Sequence, residues 1–263
     1  MSTSTRALGP GTQGRRPAYR DVLVALGAAQ KPGAGVPAYM RWVNRRLARP
    51  LAAAAVAAGL GANAVSVLSA LVSATGLALL MACPPSWGLG LGVAGLLALG
   101  FALDSADGQV ARVTGTGSPA GEWLDHVIDA VRTPAIHLAV LVALLAHHRV
   151  ESGWLAVPLL YTLVSVGIFM SQILAEQLRR ATLATRPPAV VPSPPAPPGA
   201  GVRRSLLLLP TDFGLLCWVF ALWGDAPLFL GGYALLLLVN GVHFPLSARR
   251  RYRELRSLEG VRS

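Results

Sequence analysis

Asp104, Asp107, Asp125 and Asp129 are the residues best placed to do chemistry, because all four fall inside long apolar stretches. An acidic side chain within a membrane helix costs roughly 2.5–3.5 kcal/mol at the helix centre on insertion scales, so such residues face a bundle interior and mark functional sites. Asp104 and Asp107 are three apart and Asp125 and Asp129 four apart, so each pair shares one face of a helix. Between them runs Thr114-Gly115-Thr116-Gly117-Ser118-Pro119, a turn-forming stretch that folds the two helices antiparallel. The carboxylate pairs then meet at similar depth. Four such groups repel one another unless hard divalent cations with oxygen ligands lie between them. Two ions could bridge a diphosphate and stabilise both the attacking and the leaving oxygens. Gly108, Ala111 and Gly121 leave the helix faces bare for a large ligand, and Arg112 can grip a phosphate in two-pronged fashion. The opposing reading, a buried network in which arginines neutralise aspartates for packing alone, explains single aspartates better than four at this spacing.

The elements that must hold these groups follow from composition. Of 263 residues, 53% are hydrophobic and 13% charged, about half the charged content of an average soluble domain. Apolar runs near Val65–Ala82, Trp87–Val110, Trp123–Ala146, Trp154–Leu174, Leu206–Trp223 and Ala226–Leu246 each suit a membrane helix of about 20 residues. The expected fold is all-α, a polytopic membrane bundle of about six transmembrane helices, preceded by an amphipathic helix. That helix falls in 39–64, where Arg41, Arg45, Arg46 and Arg49 alternate with apolar residues. It either lies on the membrane surface or covers the ends of the bundle. Residues 1–38 read as a tail, 65–248 as the catalytic membrane domain, and 249–263 as a basic tail. The Pro/Ala-rich stretch at about 181–205 reads as a linker.

Net charge is +11, almost all from arginine, with Lys31 the only lysine. The arginines sit at the ends of apolar segments, which argues for membrane topology and against nucleic acid. They concentrate at Arg41–Arg49, Arg112, Arg179–Arg204 and Arg249–Arg256, and the opposite side carries only Arg149, Glu151 and Asp225. Both termini and the site are therefore expected in the cytoplasm, with the protein integral to a bacterial plasma membrane. The first 30 residues lack a signal-peptide pattern. Cys83 and Cys217 read as packing residues.

Asp104, Asp107-Gly108, Ala111-Arg112, then Gly121 after eight residues, then Asp125 and Asp129, resembles the signature of the CDP-alcohol phosphotransferase family, also called CDP-alcohol phosphatidyltransferases. All eight defining positions are filled. Leu60-Gly61-Ala62-Asn63 resembles the family's lead into its first helix, with Ala62 where proline is common. The resemblance implies metal-dependent transfer of a substituted phosphate from a CDP-linked donor to an alcohol, with release of CMP, in phospholipid synthesis. It implies Mg2+ or Mn2+, two ions per site, on Asp104, Asp107, Asp125 and Asp129. Asp129 would also take the proton of the acceptor hydroxyl. Gly108, Ala111, Arg112 and Gly121 would line the site for CDP and its diphosphate.

The expected partners are that donor, an alcohol acceptor and membrane lipids; a homodimer stays open. CDP-diacylglycerol with a small alcohol is the first reading. Ser118-Pro119-Ala120-Gly121-Glu122 with Asp125-His126 looks like choline and ethanolamine phosphotransferases, which use a CDP-aminoalcohol and a lipid acceptor. His126 could act on the acceptor or merely pack. Arg132 could bind a phosphate on the acceptor, or pair with Asp129 or Glu122. A proton- or ion-coupled transporter is the alternative from another class, although neither repeats nor interrupted helices of that kind are visible.

Overall fold

A chain that crosses lipid must satisfy its backbone internally, which restricts apolar runs of this kind to helices. The computed structural model describes residues 18–28, 36–148, 150–184, 202, 205–206 and 208–259. Among these residues there is no strand. The described residues form eight α-helices in the order α1 (Tyr19–Ala28), α2 (Arg45–Ala58), α3 (Ala62–Ala82), α4 (Trp87–Thr114), α5 (Pro119–His147), α6 (Ala156–Ala184), α7 (Phe213–Val219) and α8 (Ala226–Glu259). Among the described residues five stretches are long and apolar enough to cross a membrane: α3, α4, α5, Ser152–Ala184 and Ala226–Leu258, at mean hydropathy between 1.5 and 2.1. Leu71, Leu163 and Leu238 face outward from α3, α6 and α8, as lipid contact requires.

The expected span Leu206–Trp223 is not one continuous helix. It is a 3₁₀ turn at Leu209–Thr211, then α7, then a second 3₁₀ turn at Phe220–Leu222. Pro210 donates no backbone hydrogen bond. The Asp212 carboxylate caps α7, accepting from Gly214 N at 3.0 Å and from Met40 N at 2.9 Å. Phe213–Leu222 is the short apolar helical part of this passage. The passage begins where Arg41 donates to Ser205 Oγ (3.2 Å) and ends where Gly224 abuts Trp87 at the start of α4.

Helix α2 follows a π-helical turn at Met40–Asn44. Its buried face, with Ala48, Ala52 and Val56, clusters with Leu103, Ala106 and Val110 of α4. Asn44 Nδ2 donates to Phe101 O at 3.2 Å and to Ser105 Oγ at 2.6 Å, and Gln109 Nε2 to Arg45 O at 3.3 Å. Helix α2 and the turn before it thus pack against the half of α4 that carries the aspartates, while Arg46 and Leu47 stay exposed. Within the stretch read as a tail, α1 packs Val22 and Leu26 into the same cluster. Residues 1–17 and 29–35, most of the proline-rich linker and 260–263 lie outside the described residues.

A second core at the other end of the bundle joins Leu97, Val140, Leu144, Phe220, Trp223 and Phe229. Cys217 is buried in it, and both cysteines are free.

Candidate active site

The hairpin between α4 and α5 sets the geometry. Gly115 ends α4 in the left-handed conformation (φ 68°), which only glycine adopts without strain. Ser118 then starts α5, its Oγ accepting from Gly121 N at 3.1 Å, with Pro119 in the first turn. The antiparallel return brings one carboxylate oxygen each from Asp104, Asp107 and Asp125 within 4.8 Å of one another. Asp107 is buried, and Ser66 Oγ of α3 lies 2.5 Å from its Oδ2.

Asp129 is placed differently from the other three. Its Oδ1 is 3.3 Å from Arg132 Nη1, which also lies 3.0 Å from Asp104 Oδ1. The second guanidinium nitrogen, Nη2, donates to Ser69 Oγ at 2.7 Å, and Ser69 in turn donates to Gly100 O at 2.8 Å. Arg132 is buried and serves as the ion-pair partner of Asp129, one of the two roles its position suggested, and of Asp104 as well. Glu122 pairs with Arg180 of α6 at 2.6 Å instead. His126 sits 3.4 Å from Asp125 Oδ2 and 3.7 Å from Glu122 Oε1.

Two cavities meet at this cluster. The first, about 570 Å³, is lined by Gly108, Ala111, Arg112 and Gly121, and it also takes in Asp107 and Asp125. All four residues expected around the CDP moiety thus share one cavity. A Cβ on Gly121 would lie 3.1 Å from Asn63 Oδ1, and one on Gly108 would lie 3.2 Å from Arg112 Nη1, so bare backbone keeps the space open. The second cavity, about 230 Å³, holds Asp104, Asp129 and Arg132 among Tyr161, Asp212 and Asn240. It shares Gln172, Thr211 and Asn240 with a wider vestibule of about 840 Å³, in which Arg179, Arg180, Arg250 and Arg251 gather.

The donor set fits divalent metal. It is all oxygen, closely grouped, and only partly neutralised. Among the described residues neither Asp107 nor Asp125 has an arginine within 4.0 Å. Hard cations with oxygen ligands suit such a group. Asp104, Asp107 and Asp125 could hold the ion directly.

Sequence reasoning did not find Ser66, Ser69 or Asp212. A serine on an apolar helix carries no distinguishing signal. Asp212 did: Thr211-Asp212 directly before an apolar run is a helix-start pattern.

Among the described residues the protein is an all-helical bundle with five candidate membrane spans, and its carboxylates cluster between a glycine-lined cavity that holds Arg112 and a second cavity that holds Arg132. A family model, CDP-alcohol phosphatidyltransferase, matches residues 60–238, from the lead into α3 well into α8, and the chain belongs to that family. The family places the protein among the transferases of phospholipid synthesis, using a CDP-linked donor and an alcohol acceptor. No curated protein matches the chain.

Proposed function

We propose that the protein transfers a phosphatidyl group from CDP-diacylglycerol to a small water-soluble alcohol and releases CMP. The observation that carries this reading is the division of the aspartates. Asp107 and Asp125 line the cavity with Arg112, and Asp104 and Asp129 line the other. A displacement at phosphorus needs the incoming oxygen opposite the leaving one, and two cavities meeting at one carboxylate cluster suit that requirement.

In this reading the CDP group occupies the first cavity. Arg112 holds the diphosphate through paired N–H donors, and the bare faces at Gly108, Ala111 and Gly121 admit the nucleotide. The acceptor hydroxyl enters the second cavity and gives its proton to the Asp129 carboxylate, since a neutral alcohol needs a positioned base. Its oxygen bonds to the β-phosphorus as the bond to CMP breaks, and the electron pair leaves on CMP. Asp104, Asp107 and Asp125 would hold divalent ions, which when bound would supply positive charge beside the diphosphate and the departing CMP. Arg132 keeps Asp129 oriented and also neutralises part of the cluster's charge. Phe101, Phe169, Phe213 and Leu216 line much of the second cavity, while its Asp104, Asp129 and Arg132 and its continuity with the arginine-rich vestibule support a small polar acceptor over a lipid.

The test is CMP release by the purified protein with Mg2+ or Mn2+. CDP-diacylglycerol would be paired with a panel of water-soluble alcohols, CDP-choline and CDP-ethanolamine with diacylglycerol, and products identified by mass spectrometry. CMP from CDP-diacylglycerol and a water-soluble alcohol is expected. CMP only from a CDP-aminoalcohol would reverse the donor assignment, and no CMP from any pair would reject the reading.

The arginine-rich end of the bundle is assigned to the cytoplasm. Tags at both termini should then react from the cytoplasmic side and a tag beside Ser152 from the other. Termini reacting from opposite sides would show that the broken passage does not cross.

A further inference from the structure

Helix α3 contains no charged residue, yet Ser66, Ser69 and Ser73 form a buried row at spacings of three and four. Their hydroxyls are employed differently. Ser69 is tied to Arg132 and Gly100 O. Ser73 Oγ is buried with no hydrogen-bond partner. Ser66 Oγ lies 2.5 Å from Asp107 Oδ2 and 3.2 Å from Ala62 O, the carbonyl one turn back along its own helix. A hydroxyl has one proton. Helical serines commonly return it to such a carbonyl, but the shorter, charge-assisted contact here is to the carboxylate. Ser66 also lines the cavity with Arg112, and Asp107 is one of the three grouped carboxylates.

We infer that Ser66 is a positioning residue for the metal site. Its proton holds Asp107 Oδ2 and so adds a tether from a second helix to the one backbone contact, from Gly108, that α4 itself supplies to this carboxylate. The inference rests on the metal reading of the aspartates. It adds that α3, the helix without acidic residues, sets the affinity for the ion. Groups that orient a metal ligand commonly change affinity by about 10- to 100-fold when removed.

The test is Mn2+ binding to the purified full-length protein in detergent, without substrate, followed by the loss of the free-ion paramagnetic signal. Ser66→Ala should bind Mn2+ about 10- to 100-fold more weakly, and Ser66→Thr, which keeps the hydroxyl, should restore most of the affinity. Ser73→Ala alters an equally buried, partnerless serine on the same row and should bind as the parent does. Unchanged affinity in Ser66→Ala, or an equal fall in Ser73→Ala, would overturn the inference and make the row a packing feature. If Ser66→Ala loses its cooperative thermal unfolding, Ser66→Cys, close in size but a weak donor, takes its place with the same expected direction. No Mn2+ binding by the parent protein would overturn the metal reading itself, and the role of Ser66 with it.

Discussion

Asp129→Asn should slow the chemical step by about two to four powers of ten while the protein still binds its CDP-linked donor. The amide keeps the shape of the side chain but cannot take the acceptor's proton. Two features make this a loss of chemistry and not of structure. Asp129 lines the second cavity, away from the Arg112 cavity. Arg132 also stays held by Asp104 at 3.0 Å and Ser69 at 2.7 Å when its contact with Asp129 weakens. The measurement is single-turnover CMP release at saturating metal and substrates, with donor affinity titrated separately. Near-normal turnover would place the base elsewhere, and His126, beside Asp125, would be next to test.

Chelation of divalent metal should abolish CMP release, and Mg2+ or Mn2+ should restore it. The grouping of Asp104, Asp107 and Asp125 within 4.8 Å leaves negative charge that Arg132 alone does not balance, and a diphosphate adds more. Without a cation the donor and the cluster would repel each other. Asp107→Asn removes one charge of three. It should raise the metal concentration needed for half-maximal activity by about tenfold or more, with partial rescue in excess metal. The measurement is CMP release against metal concentration after dialysis with chelator. Full turnover in chelator would remove metal from the mechanism.

The placement of Asp104, Asp107, Asp125 and Asp129 on two antiparallel helices was legible because its information is local. Spacings of three and four place them on helix faces, a short loop fixes the antiparallel return, and the interior of a membrane penalises acids that have no task. The grouping of Gly108, Ala111, Arg112 and Gly121 around one cavity followed for the same reason. The pairing of Arg132 with Asp104 was not legible. The two residues are 28 apart, and their contact depends on how α5 is rotated against α4. Ser66 and Ser69 matter through their setting against α4 and α5, which no periodicity on α3 reveals. The span at Leu206–Trp223 was read as continuous because its apolar count outweighed Pro210 and Asp212. The break is a matter of where backbone donors find acceptors. Helix α1 escaped notice because ten residues with two buried apolar side chains make a weak pattern.

The broken passage also bears on how the protein comes to be made. Apart from Arg180, the cavity around Arg112 is lined by residues between Ala62 and His126, a stretch translated early. The second cavity is incomplete until Tyr161, Asp212 and Asn240 have been synthesised. Chains emerge amino terminus first, and earlier parts can fold before later ones exist. Most of the Arg112 cavity can therefore be in the bilayer while residues that complete the second cavity are still on the ribosome. Asp212 then does more than start a helix. By accepting from Met40 N it fastens a late segment to the chain's early part.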